Sequence, residues 1–215
     1  MYTPASNAEH RLDVLHAFMR THALGTLVTM TDRGLFATHL PFVLDASRGS
    51  YGRLEGHVAR ANPHHRLDPA GEALILFQGP DAYITPSWYP SKAVDGRVVP
   101  TWNYVAVHAY GIVRFRDDEA FLRAHLATLT AQHEAERKPR WSITDAPSGY
   151  IDTLVQAIVG VEIEITRIEG KWKMSQNRSA ADIDGVITGL GASASARERA
   201  VGQIVAAVRP PRSPE

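Results

Sequence analysis

The stretch Thr101–Arg116, TWNYVAVHAYGIVRFR, decides the fold class. Tyr104, Ala106, His108 and Tyr110 alternate with Val105, Val107, Ala109 and Gly111. Successive side chains of an extended chain point to opposite faces, so this pattern suits a long strand packed on both sides. Such a strand needs a sheet around it, and the flanking sequence supplies one.

Toward the amino terminus, Leu24–Met30 is aliphatic and β-branched, Asp32-Arg33-Gly34 carries turn chemistry, and Leu35–Leu44 is extended again, which reads as a hairpin. Asp45–Gly49 is a second polar turn, Tyr51–Val58 a third strand and Ala73–Phe77 a short fourth, with Ala59–Gly71 polar between them and Asn62-Pro63 marking its turn. Tyr83–Thr85 is a candidate fifth strand. Pro80, Pro86, Pro90 and Pro100, with Gly79 and Gly96, predict an irregular loop over much of 78–100. Ser6 with Glu9 fits a capping box, and Leu12, Leu15, Phe18 and Met19 recur at helical spacing, predicting a helix over 7–21.

Toward the carboxyl terminus, Asp117 or Asp118 caps a helix reaching about Ala135, and a second runs from about Pro147 to Val159. Val161, Ile163 and Ile165 alternate with Glu162, Glu164 and Thr166, predicting a strand with one wet face at the sheet edge. Ser179 with Asp182, and Ser195 with Glu198, start two more helices. Pro210, Pro211 and Pro214 predict a frayed tail. The expected class is α+β, a single β-rich core with helical additions.

Composition narrows the chemistry. At 215 residues, 44% hydrophobic and 21% charged, the chain can bury a real core, which excludes disorder as its default state. Twenty-three Lys and Arg balance twenty-three Asp and Glu, so no global field draws it onto nucleic acid or an anionic membrane. With no cysteine there is no disulfide, thiolate metal site or cysteine nucleophile. Met1–His10 lacks a basic start followed by an apolar run, and no stretch approaches the roughly 20 apolar residues of a membrane span, so a soluble cytoplasmic protein is expected. Ten histidines are present, but His64 and His65 are adjacent, and neither His16 with His22 nor His125 with His133 stands at the i, i+4 spacing of a helical metal pair. No metal site is assigned. GxSxG, P-loop and GxGxxG patterns are missing, and no catalytic residue is assigned. The helices from Asp118 and Pro147 are too far apart for a helix-turn-helix.

Five segments combine rings with hydrogen-bond donors: Thr38–Phe42, Gly56–Pro63, Thr85–Tyr89, Val99–Tyr104 and Lys171–Arg178. An isoalloxazine ring needs stacking surface and a few amide or hydroxyl partners, and a ribityl phosphate needs Arg, Lys, Ser, Thr or backbone N–H groups. These segments hold both sets. Three of the four lysines, Lys92, Lys171 and Lys173, fall inside the segments that carry the resemblance described next, a placement that favours a ligand anion over solubility.

The segments Phe36–Phe42, Leu54–Pro63, Phe77–Lys92, Val98–Gly111, Gly160–Thr166 and Glu169–Arg178 resemble, in order, the PaiB group of FMN-binding negative transcriptional regulators. That group is related to pyridoxamine-phosphate oxidase. The resemblance implies an antiparallel six-stranded split β-barrel with peripheral helices, dimeric, with FMN at the homodimer interface. It places an FMN-binding domain with inserted helices over 1–190 and a carboxyl-terminal helix and frayed tail over 191–215. It implies a flavin along the strand carrying Thr38 and His39, and a phosphate near His57, Arg60 and Asn62. Trp102 and Asn103 begin the strand alongside. Lys171, Trp172, Lys173, Gln176, Asn177 and Arg178 are implied to reach across from the second subunit. The phosphate turn Ala59-Arg60-Ala61-Asn62 is poorer in Ser and Lys than is usual for the fold, so Arg60 would carry much of the charge, with help from Lys92, Lys171 or Arg178.

The resemblance also names operator DNA as a partner. With zero net charge, direct binding would need a surface built by the dimer. The alternatives are an FMN-dependent oxidoreductase acting on a small molecule, with His39 and His57 as the candidates for tuning the ring, and a haem-handling protein, with His64 or His108 as exposed ligands.

Overall fold

The computed structural model describes residues 1–147 and 149–209. The tail expected at Pro210, Pro211 and Pro214 lies outside them. In chain order the elements are β1 (Ala8–Glu9), α1 (Leu12–Thr21), β2 (Leu24–Thr31), β3 (Gly34–Pro41), β4 (Val43–Asp45), β5 (Arg53–Ala59), β6 (Ala73–Ile84), β7 (Thr101–Arg116), α2 (Glu119–Glu134), α3 (Tyr150–Gln156), β8 (Ile158–Lys173), α4 (Ala180–Gly191) and α5 (Ala196–Ala207).

The strands form one sheet in the order β3-β2-β6-β7-β8-β5-β4, with β1 on β8. Eight strands are present rather than six, and six of them are seven residues or longer. β2 runs antiparallel to both β3 and β6, and β5 antiparallel to both β4 and β8. The first hairpin falls where the Asp32-Arg33-Gly34 turn put it, with Gly34 at φ +97°.

Two compact units divide the chain. One comprises Arg11–Phe77 and His108–Ile168; the other comprises Met1–His10, Gln78–Val107 and, of the described residues, those from Glu169 to Arg209. The first buries Leu15, Leu27, Leu54, Ile75, Phe77, Leu122 and Ile163. At about 1.5–3 kcal/mol for each fully buried large aliphatic or aromatic side chain, this core supplies that unit's main driving force. The second buries Ile84, Val105, Val107, Met174, Ile183, Val186, Leu190, Val201 and Val205. The apolar stripes of α4 and α5 belong to this core, and both helices start as expected: the Ser179 and Ser195 hydroxyls accept from the amides of Asp182 and Glu198.

Four expectations need correction. The helix read over 7–21 begins at Leu12, because Ala8 and Glu9 pair as a strand with Lys171 and Gly170. The interruption read at Gly79-Pro80 does not occur: β6 continues to Ile84, and the irregular segment begins at Thr85 with single 3-10 turns at Pro86–Trp88 and Pro90–Ala93. The second helix is shorter, since Ile158 and Val159 already belong to β8. β8 is no edge strand but lies between β7 and β5. Its Glu162 is buried because Arg53 and Arg116 reach it at 3.1 and 3.3 Å.

Candidate functional site

The residues implicated by sequence fall in both units. In the unit that includes Gln78–Val107, β7 begins at Thr101 and β8 ends at Lys173. Beyond β8 the chain turns through Ser175, the single non-glycine among the described residues with a left-handed φ (+64°), before α4 begins. Gln176 holds this turn: its Oε1 accepts from the Met174 amide at 2.7 Å and its Nε2 donates to the Trp172 carbonyl. Gln176 thus spends its amide on backbone.

These ends open a cavity of about 230 Å³, lined by Asn7, Thr101, Asn103, Lys173, Ser175, Asn177 and Arg178 among others. Asn103 and Ser175, both buried, hold one another, with Asn103 Nδ2 donating to Ser175 Oγ at 3.0 Å. Lys173 Nζ donates to Thr101 Oγ1 and the Trp102 carbonyl. Burial pushes the Lys173 ammonium below the usual lysine range, and Lys171 and Arg178 push it the same way. Lys171 is buried against the Tyr104 ring at 5.2 Å, with Nζ donating to the Tyr2 carbonyl. The Arg178 guanidinium lies 4.8 Å over the Tyr89 ring. Among the described residues no carboxylate lines the cavity. Cations that repel one another, beside amide and hydroxyl donors, form a receptor for an anion. Trp102 is half exposed and meets the edge of Tyr83.

In the other unit, Thr38 and His39 are neighbours on β3 and therefore face opposite sides of the sheet. Thr38 Oγ1 meets His64 Nδ1 at 2.9 Å and accepts from Asn62 Nδ2 at 3.2 Å. His64 Nε2 meets Thr29 Oγ1 at 2.8 Å, and Asn62 Oδ1 accepts from the His64 amide. His64 is therefore not an exposed haem ligand: it is 1% exposed and both ring nitrogens are spent on hydroxyls. His108 is half buried on β7. His57 Nδ1 lies 3.0 Å from Nε2 of His125 on α2. Arg60 does not stand free for a phosphate: it pairs with Asp117 through two nitrogens and donates to the carbonyls of Gln156 and Ile158. An anion there would have to displace a carboxylate.

The structure thus gathers Asn103, Lys173, Asn177 and Arg178 at one cavity and Thr38 with Asn62 at one network, and gives Arg60, His57 and His39 other surroundings. Sequence reasoning did not single out Asn7 at the cavity or Thr29 in the network; Thr101 and Ser175 lay inside segments it named without being assigned a role, and His64 was read as an exposed residue rather than a buried one. Asn62-Pro63 was a usable signal for His64, because an Asn capping a 3-10 turn fixes the residue two places on. A larger cavity of about 490 Å³ between α2 and residues 140–144 contains none of the implicated residues. Among the described residues no group of three or more His, Cys, Asp or Glu could hold a metal, and no helix is long and apolar enough to cross a membrane.

The chain matches the family model described as "Putative FMN-binding domain" over residues 1–167. It is 36% identical to an uncharacterised protein of Emericella nidulans, over 88% of this chain and 90% of that one. It is 32% identical to protease synthase and sporulation protein PAI 2 of Bacillus subtilis, over 88% of this chain and 89% of that one. Two solved structures share the fold: the FAD and heme binding protein from Mycobacterium smegmatis (TM-score 0.58, 14% identity, 83% of this chain and 79% of that one) and the flavocytochrome Anf3 from Azotobacter vinelandii (TM-score 0.56, 14% identity, 77% and 68%).

Proposed function

The chain belongs to the family of FMN-binding domains that includes PaiB, and on that footing we propose that it is a homodimeric FMN-binding regulator whose flavin phosphate is held at Lys173, Arg178, Asn177 and Ser175. The observation that carries this reading is the presence of Lys173 and Arg178, with Lys171 acting on Lys173 from nearby, at a cavity lined by donors and, among the described residues, by no carboxylate. A dianionic phosphate relieves their mutual repulsion and uses the Asn and Ser groups as neutral donors. At about 230 Å³ the cavity is smaller than the ~300–1,000 Å³ pockets that enclose whole ligands, so it accounts for one end of the cofactor. FMN, when bound, supplies hydride and single-electron chemistry, while the protein's groups bind it and orient it.

A second copy of the chain is supported by the outer face of β2 and β3. Leu24, Met30 and Leu35 share this face by register, opposite Pro41, Leu35 and Met30 respectively, and are 66%, 49% and 72% exposed. Large apolar side chains grouped on a sheet face mark an interface. His39, opposite Thr26, lies on the same face.

The test is an FMN titration of purified protein followed by quenching of flavin fluorescence, with light scattering on the same sample. Saturable binding by a dimer is expected. Lys173→Met should weaken FMN by roughly 10- to 150-fold, the equivalent of losing one charge-assisted hydrogen bond of about 1.5–3 kcal/mol. Unchanged affinity removes the cavity from the site. Regulation through operator DNA requires a gel shift that weakens steeply with salt. Without one, FMN-dependent oxidation of reduced nicotinamide decides for the oxidoreductase reading.

A further inference from the structure

The amino-terminal segment reaches the Lys173 cavity through one buried side chain. Of residues 1–10, Asn7 alone is buried, at 8% exposure, and it lines the cavity. The backbone is held on both sides of it. The Asn7 amide donates to the Pro4 carbonyl at 2.9 Å, the Tyr2 carbonyl accepts from Lys171, and Ala8 and Glu9 pair with Lys171 and Gly170. The strand there is two residues long, so the segment has little ladder to hold it.

A segment fastened by one buried side chain ordinarily uses an apolar one, which gains by leaving water. Asn7 gains nothing that way. Burial strips its amide of solvent, and the protein returns little. Its Oδ1 meets Ser6 Oγ at 3.5 Å, the outer limit of a hydrogen bond, and its Nδ2 finds no acceptor among the described residues. Buried polar groups left idle by the protein are rare enough that each calls for a partner.

The same cavity holds two cations without counter-charges. Arg178 lies 4.8 Å over the Tyr89 ring and forms no ion pair among the described residues. Lys173 gives its bonds to a hydroxyl and a carbonyl, which leave its charge unbalanced. Asp182, a carboxylate that feels Arg178, is already occupied by the amide and hydroxyl of Ser91. One kind of group completes both Asn7 and the cations: an oxyanion, which accepts from the amide and neutralises the charge.

We infer that Asn7 is a ligand residue of this cavity, donating through Nδ2 to an oxyanion held by Lys173 and Arg178, and that an anion seated there fastens the amino-terminal segment to the end of β8. The inference rests on reading the cavity as an anion site, as proposed above, but not on the anion's being the phosphate of FMN. Binding the anion and ordering residues 1–10 become one event, so whatever loosens the segment weakens the anion by the same factor.

The probe is inorganic phosphate, titrated into the purified protein at constant ionic strength in chloride and followed by ¹⁵N–¹H spectra. The Asn7 side-chain amide signals should shift and saturate, and the Ala8 and Glu9 backbone amides should exchange more slowly with solvent. Asn7→Leu, which keeps the bulk and loses the donor, should bind phosphate about tenfold more weakly, and Asn7→Asp, which sets a carboxylate against the anion, more weakly still. Without phosphate, Asn7→Leu should unfold at the same urea concentration as the parent or a higher one. A lower midpoint assigns Asn7 to packing and overturns the inference. Equal phosphate affinity in the parent and both variants also overturns it, and leaves the anion site to Lys173 and Arg178. Failure of the parent to bind phosphate overturns the inference and the anion reading together, whereas binding of phosphate without FMN refutes the flavin reading alone.

Discussion

Acid should destabilise this protein through its buried histidines, His125 above all, before it protonates most carboxylates. His125 is 1% exposed on α2, with Nε2 3.0 Å from His57 and the Phe121 ring stacked on it at 6.3 Å and 10°. Its Nδ1 is buried with no hydrogen-bond partner. Burial, with a smaller push from His57, lowers its pKa from 6.5 to about 4. The folded state therefore holds the ring neutral down to about pH 4, whereas the unfolded chain takes up a proton near pH 6.5. Between those values the unfolded state binds more protons, so stability falls as pH falls through this window. At pH 5 the unfolded state gains roughly thirtyfold over the folded one, which is about 2 kcal/mol relative to pH 8. Urea titrations at pH 8 and pH 5 on the parent protein and on His125→Leu measure this. Carboxylates common to both proteins cancel, and the pH-dependent loss in the variant should be smaller by about 2 kcal/mol. An equal loss in both refutes the argument.

Three further outcomes are expected. Gly185→Ala should cost about 3 kcal/mol in a urea titration, at the upper end for overpacking, because a Cβ there falls 1.9 Å from the Trp88 carbonyl oxygen. Glu162→Gln should cost about 2–3 kcal/mol, below the ~3–5 kcal/mol of a fully buried pair, because Arg116 is 40% exposed while Arg53 loses its buried partner. Under the proposed homodimer, Leu35→Asp should leave only monomer by light scattering at micromolar concentration while changing monomer stability by less than about 0.5 kcal/mol, since Leu35 is 72% exposed.

What could be read from the sequence was what local chemistry controls. The caps at Asp118, Ser179 and Ser195 each place a helix start because a side-chain oxygen two or three residues from an amide is a local event. The alternation in Thr101–Arg116 gives a strand for the same reason. Ala8 and Glu9 were misread because the strand they join lies some 160 residues away. Glu162 was read as wet because alternation reports a side chain's face and not its partners, and two arginines from other strands neutralise it. At the candidate site, the donors and rings could be listed from sequence, but which of them pair with one another could not. Arg60 looks like a phosphate ligand until Asp117 is placed beside it, and His64 looks exposed until Thr29 and Thr38 close over it.

Trp88 and the glycines of α4 carry a consequence for how this sequence can change over evolutionary time. A Cβ at Gly189 would fall 2.4 Å from the Trp88 indole, whereas a Cβ at Gly185 meets the residue 88 backbone itself. Position 189 is therefore closed only while a large ring sits opposite, and position 185 is closed whatever that ring becomes. A shrunken residue 88 leaves a void, and a side chain at 189 arriving first leaves a clash, so each single step is harmful while the pair together is tolerable. Lineages can drift along one diagonal, Trp with Gly or a smaller residue with Ala, and seldom between. At position 185 no such second path exists.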